Sequence, residues 1–277
     1  DRQLTQSHRV PRAVHEIALR LIRRNRERVD VPYKPQQEVG YVRFGYLNSL
    51  PIETLAQEGS VLLLARNRYL LSDFTDVLVS RGLPFEALRG SSPLRSSVTQ
   101  AILAGHRLVR GERVNMVDAA HFVDALPSDR YLVRGAKARL AELAKECPEA
   151  EVALRDMGTH FKPILWDLLV NRNGNFIEAL RLPPLQRAYY KKLLGRGGEE
   201  ALLNAPRIKV GTIHSAKGME ADFVVLRPEM AGRTYAEWLK APEGERRCWY
   251  VGLTRARKGL WLLESDGMRA IDWRLEL

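Results

Sequence analysis

Apolar residues run through this chain in two rhythms. Val10, Val14, Ile17, Ala18, Leu21 and Ile22 recur at helical spacing behind Pro11, which predicts a helix over residues 11–28. Other stretches are apolar without alternation: Val61-Leu62-Leu63-Leu64-Ala65, Phe223-Val224-Val225-Leu226 and Leu260-Trp261-Leu262-Leu263. A strand with no polar face is one covered on both sides, the condition of a parallel sheet packed between helices. Shorter strand patterns fall at residues 39–44 and 85–88, with a helical stripe through Leu70, Phe74, Val77 and Leu78 before the second of them. Strands alternating with helices predict an α/β fold, a parallel sheet flanked by helices.

From about Gly90 to Ala205 strand patterns give way to helical ones, such as residues 136–145 and 185–194. The chain therefore reads as one discontinuous domain over residues 1–89 and 206–277, with a mainly helical accessory insertion over residues 90–205. Gly195-Arg196-Gly197-Gly198 reads as a flexible return to the sheet, because no strand precedes it as a phosphate loop requires.

Charge narrows the partners. Forty-four Lys and Arg residues against 33 Asp and Glu give the 277-residue chain a formal charge of +11, which favours polyanions and nucleic acid first. The arginines spread over the first predicted helix (Arg12, Arg20, Arg23, Arg24, Arg26 and Arg28) read as a solvated face rather than a dedicated DNA contact. Cys147 and Cys248 suit neither a zinc site nor a disulfide framework, the histidines are unclustered, and no metal site is expected. A reducing cytoplasm fits, and no apolar run reaches membrane-spanning length, so no membrane partner is expected. A start at Asp1 rather than Met suggests a piece of something longer.

Two runs carry chemistry. In residues 207–226 a strand leads into a polar turn and then a buried strand, and turns that follow parallel strands sit where open α/β sheets bind ligands. The Thr212 and Ser215 hydroxyls, the His214 ring and backbone N–H groups suit phosphate or base contact, with Lys217 adding charge. The competing reading is a hydroxyl-capped turn with Lys217 and Glu220 paired at the surface. Residues 245–257, read as one helix, place Arg247, Val251, Gly252 and Arg255 on a stripe. A guanidinium on a packed face needs an anion, either an internal carboxylate or a phosphate held by a neighbouring domain.

The first run, Val210 to Leu226, resembles motif V of the UvrD/Rep/PcrA group of superfamily-one DNA helicases, usually T-x-H-x-A-K-G-L-E-F; here Met219 stands for the leucine. Glu245 to Arg257 resembles their motif VI, E-R-R-L-x-Y-V-G-x-T-R-A. Leu4 to Pro11 is similar to the L-x-x-N-Y-R-S segment that opens the second motor domain, and Val61 to Pro84 to the stretch that follows it. The resemblance spans the ends of the chain and is weak through the insertion.

What it implies is the second RecA-like motor half of an ATP-dependent DNA helicase, generally 3′-to-5′ in this family. Arg255 would be an arginine finger on the ATP γ-phosphate and Arg9 a second contact to it. Glu220 would hold the ribose, with Gly218 beside it and His8 at the position of the family's adenine-stacking aromatic. Thr212 and His214, with Ser215 and Lys217 in the same loop, would meet single-stranded DNA, and Arg66 and Asn67 its backbone.

ATP with Mg2+ would be held mainly by an N-terminal motor domain of the same polypeptide. The chain shows neither a GxxxxGK[ST] phosphate loop nor an Asp-Glu pair after a buried strand, so alone it is expected to be inactive. The expected partners are single-stranded DNA, a duplex junction and that motor domain, in a cytoplasmic, nucleoid-associated setting of bacterial or phage type. Two alternatives stay open: a non-catalytic DNA-binding or interaction module with a degenerate motor fold, and a subunit of a RecB/AddA-type helicase-nuclease.

Overall fold

A computed structural model describes residues 6–28, 33–90, 94, 96–171 and 175–277; Leu4 and Thr5 of the opening motif lie outside them. The chain forms two compact units, one drawn from the segments Asp1–Leu78, Phe85–Gly90 and Ala205–Leu277, the other from Val79–Pro84 and Ser91–Asn204.

The first unit is a RecA-like α/β sheet. Its strands are β1 (Tyr41–Gly45), β2 (Val61–Ala65), β3 (Phe85–Ala87) and, after the two-residue strands β4 (Val114–Asn115) and β5 (Glu151–Val152) of the other unit, β6 (Ile208–Thr212), β7 (Ala221–Leu226) and β8 (Ala256–Leu263). Every pair in the sheet is parallel, in the order β1-β8-β7-β2-β6-β3. This order explains the hydrophobic patterns. β2 lies between β6 and β7 and is buried at all its positions, whereas β1 forms one edge and leaves Arg43 and Phe44 exposed.

Helices cover the sheet: α1 (Arg12–Arg23), α2 (Ile52–Glu58) and α3 (Leu71–Arg81) come from the N-terminal part of the chain. The second unit, taken by itself, holds α4 (Ser97–Val109), α5 (Met116–Asp124), α6 (Ser128–Tyr131), α7 (Ala136–Glu146), α8 (Pro163–Val170), α9 (Pro184–Gly197) and α10 (Glu200–Leu203). The C-terminal part adds α11 (Gly232–Lys240), α12 (Pro242–Leu253) and α13 (Trp273–Glu276). Val14, Ala18 and Leu21 of α1, Trp238 of α11, and Trp249 and Leu253 of α12 bury against Leu62, Leu64, Val224 and Leu260 of the sheet. Trp249 meets Trp273 edge-on, ring centres 5.2 Å apart.

α1 stops well short of the predicted residue 28. The chain after Arg23 turns onto the first turn of α12, where Asn25 Nδ2 donates to the Glu243 carbonyl (3.0 Å) and the Arg26 N–H to Glu243 Oε1 (2.8 Å). Its arginine face is exposed, with Arg24 paired to Glu276.

In the second unit Ser96 caps α4 and Asn115 caps α5, each accepting from the N–H three residues on. Phe122 and Phe176 pack edge to face over Gly105, where a methyl group would come within 2.6 Å of the Phe176 ring. Two details depart from the sequence reading. The insertion holds a small antiparallel pair, β4 with β5. Gly195 and Gly197 belong to the last turn of α9 instead of a loose return, because Gly198, at φ +56°, supplies the left-handed residue that ends the helix.

Candidate functional site

The sequence from Thr212 to Glu220 crosses the whole depth of the sheet. Thr212 is the last residue of β6 and lies level with Ala65 at the carboxyl end of β2, while Glu220 immediately precedes β7 at the amino end. No helix intervenes among residues 213–220, so one short connection delivers side chains to two opposite ends of the same sheet. α12 runs in the same direction as that path and antiparallel to the strands: Glu245 in its first turn lies by Arg66, just past β2, and its far end delivers Arg255 beside Met219. The two clusters are therefore separated by roughly 12 Å of helix, at 1.5 Å per residue.

At the carboxyl end the turn is held by its own hydroxyls. Thr212 Oγ1 accepts from the Ser215 N–H (3.1 Å) and bonds Ser215 Oγ (3.2 Å), which in turn donates to the Thr212 carbonyl (2.8 Å). His214 and Lys217 are left exposed at the tip. Gly218 follows at φ +85°, a left-handed position that a side chain would strain. Partial desolvation, and then the Arg66 charge, lower the His214 pKa, with Glu245 opposing. Its imidazole is thereby biased to the neutral form, able to stack or to accept a hydrogen bond.

Arg66 itself is engaged. Its Nε and NH2 donate to the two oxygens of Glu245 at 2.6 and 2.7 Å, and both side chains are largely buried. Asn67 is equally occupied: its Oδ1 accepts from the Ala231 N–H (2.8 Å) and its Nδ2 donates to Thr234 Oγ1 (3.3 Å). These two residues, expected on a DNA backbone, fasten β2 to α11 and α12. Cys248 lies in the same cluster, where burial pushes its thiol up to about 11 and leaves it unreactive.

At the amino end the structure brings together Arg9, Glu220 and Arg255 and adds Arg257. The reading of residues 245–257 as one helix is corrected. α12 ends at Leu253, Thr254 Oγ1 bonds back to the Tyr250 carbonyl (2.9 Å), and β8 begins at Ala256. Arg255 thus sits in the turn between helix and strand, off the stripe it was expected to share. Arg247 of that stripe is half-exposed and holds Glu243 and the Glu27 carbonyl. Gly252, by contrast, faces the sheet; an added methyl would come within 3.0 Å of Leu226 and 3.4 Å of Ile213.

The Arg255 guanidinium donates to the carbonyls of Val251 (2.9 Å) and Met219 (3.2 Å) and pairs with no carboxylate among the described residues. Burial, and next the charge of Arg9, draw its pKa below the usual arginine value, yet a guanidinium stays protonated. Arg9 gives NH1 to Glu220 Oε1 (2.9 Å), and its Nε is buried without a hydrogen-bond partner among the described residues. Ser7 sets up that segment, its Oγ accepting from the N–H groups of Arg9 and Val10. His8, between them, is exposed. A cleft of about 670 Å³ opens beside the cluster, lined by Arg9, His15, Tyr33, Tyr250, Thr254 and Arg255 among others.

Three residues of weight here were given no role by the sequence reading. Arg257 was legible as a charged residue at the start of an otherwise apolar strand, and Glu245 as an acid on a packing helix. His15, buried within the apolar stripe of α1, gave no signal.

Residues 180–266, a minority of the chain, match the model of the UvrD-like helicase C-terminal domain. No curated protein matches the chain. The matched segment holds both motif-bearing runs, and the likeness identifies a UvrD-type C-terminal helicase domain in this part of the chain.

Proposed function

We propose, from that likeness and the geometry around Arg255, that the chain is the second motor half of an ATP-dependent DNA helicase or translocase, working on a nucleotide whose phosphates are cradled by a partner RecA-like domain. One observation carries the reading: a half-buried guanidinium hydrogen-bonded only to carbonyl oxygens, next to a second arginine and with no carboxylate ion-paired to it among the described residues, Glu220 acting on it only from beyond ion-pair distance. Burying a cation without an anion is unfavourable, so the arrangement favours an anion arriving from outside. A transferring phosphoryl group supplies that anion, and two arginines stabilise it as charge builds on its equatorial oxygens.

The residues present suit the polyphosphate end of a nucleotide. Arg255 and Arg9 would face the phosphates, and the magnesium ion would be held mainly by the partner domain. When bound, the ion would supply positive charge to the phosphates. This chain's contribution is to orient the phosphates and exclude water from them. At the opposite end of the sheet, His214, Lys217 and the Thr212 turn would form the face for single-stranded DNA, tracked 3′-to-5′ as in the family that the motifs resemble. Because α12 and the 213–220 connection are packed on one sheet, closing the nucleotide cleft would displace the DNA face as a rigid piece.

The test is ATP hydrolysis by the full-length protein that contains this chain, with and without single-stranded DNA. Arg255→Ala should reduce turnover by about 10³-fold or more while leaving DNA affinity within a few-fold. Near-normal turnover in that variant would remove the finger assignment.

A further inference from the structure

The large sheet ends on β1, whose outer side pairs with no strand among the described residues. A bare edge presents unpaired N–H and C=O groups that another chain can meet, and proteins commonly blunt such an edge with charge or proline. β1 has no proline, and its one charge leans inward. The Arg43 guanidinium lies 5.5 Å from the Trp261 ring of the neighbouring strand β8 and 4.9 Å from the ring of Tyr41. Apolar side chains stand exposed along the edge: Val39 ahead of the strand, Phe44 within it (42% exposed) and Tyr46 just past it (49%).

Two depressions flank Tyr46 at the carboxyl end of β1. One, of about 420 Å³, is lined by Phe44, Tyr46, Glu264, Asp272 and Arg274 among others. The second, of about 410 Å³, is lined by Tyr46, Asp73, Asp76, Arg227, Glu229 and Glu264 among others. Together they hold five carboxylates against two guanidiniums. Arg227 is shared by Asp73 and Glu229, Arg274 pairs with Glu264, Asp272 caps α13, and Asp76 pairs with no cation among the described residues. On a chain of net charge +11 this corner is locally acidic, so it attracts cations and opposes phosphates. The Thr212 turn ends β6, four strands away across the sheet, or roughly 19 Å at the usual strand spacing.

We propose that the β1 edge is a docking site for an extended basic peptide of a partner protein, which joins the sheet as a further strand. Main-chain hydrogen bonds to β1 hold it, an apolar side chain packs against Phe44 and Tyr46, and lysine or arginine side chains enter the two acidic depressions. Charge selects this occupant over nucleic acid, whose phosphates would meet the same carboxylates.

The experiment titrates the 277-residue chain at low salt into a fluorophore-labelled, end-blocked peptide of alternating lysine and valine. Anisotropy reports affinity, and NMR reports the backbone amides of Tyr41–Gly45, which should shift on binding. The glutamate–valine counterpart should bind at least about tenfold more weakly, Asp76→Lys should weaken the lysine peptide by about threefold, and Asp76→Lys with Phe44→Lys by about tenfold. Methylating every backbone nitrogen of the peptide keeps its charges and removes its donors, and should cost about tenfold or more in affinity.

Undiminished binding of the methylated peptide would show that charge alone holds it and would overturn strand addition. Wild-type affinity in both variants, each folded by its amide spectrum, would put the peptide elsewhere and overturn the site, as would the absence of any binding at low salt. β1 amides that shift on dilution of the chain without peptide would mean that the edge closes on a second copy, and would overturn the partner proposed.

Discussion

Two histidines show how burial at a single residue becomes a property of the whole fold. His15 is 6% exposed on the inner face of α1, and burial followed by the Arg23 charge lowers its pKa despite opposition from Glu16 and the Tyr33 backbone. His214, which is exposed, is lowered by partial desolvation and then by Arg66, and solvent screening leaves it the smaller contributor. An unfolded histidine takes up its proton near 6.5, whereas these sites resist until lower pH. Below 6.5 the unfolded chain therefore binds more protons than the folded one, and stability falls as the solution is acidified toward the folded-state values. The melting temperature should drop between about pH 7.5 and pH 5.5, before most carboxylates titrate, and His15→Gln should make that drop shallower. A melting temperature flat across this window would show that neither histidine is linked to folding.

Elements are fastened here by few, specific contacts. The Arg66 fork on Glu245 secures the end of β2 to the start of α12, and both side chains keep only a little contact with water. Arg66→Ala strands a nearly buried carboxylate and should cost about 2 to 4 kcal/mol in urea unfolding, whereas Glu245→Gln, which retains hydrogen bonding, should cost less. Equal losses in the two variants would argue that packing, not charge, matters at this junction. Gly252 is a separate constraint, because it lets α12 approach Leu226 and Ile213 closely. Gly252→Val should destabilise by about 1 to 3 kcal/mol through overpacking, and since the helix end moves with it, it should also disturb the setting of Arg255. An unchanged urea midpoint for Gly252→Val would mean that the helix can lift from the sheet at little cost.

For the whole molecule, charge and the two-ended sheet set what can be measured. A chain with net charge +11 and an exposed polar loop at one end of its sheet should bind single-stranded DNA weakly on its own. If about three phosphates are neutralised, affinity should fall roughly tenfold or more as salt rises fourfold. Lys217→Ala should make the salt dependence shallower by less than one neutralised phosphate, or about one at most. Binding that ignores salt, or none at low salt in a fluorescence anisotropy titration, would dismiss the loop as a nucleic-acid face.

The chain alone determined the sheet and its burial. β2, β7 and most of β8 were legible because strands covered on both faces must be apolar throughout, and the match over residues 180–266 agrees with the family that the two motif runs resemble. Periodicity could not say where α12 stops, since Thr254 and Arg255 suit a helix as well as a turn; that was decided by β8, whose pairing with β7 from Ala256 onward takes up the backbone bonds a longer helix would need. Nor could spacing reveal that residues 212 and 220 of one motif lie at opposite ends of a sheet, or that Glu220 meets an arginine 211 positions away. Local pattern reports which side of an element is apolar. Which charges finally meet depends on how the elements stack, and only the folded chain brings them within bonding distance.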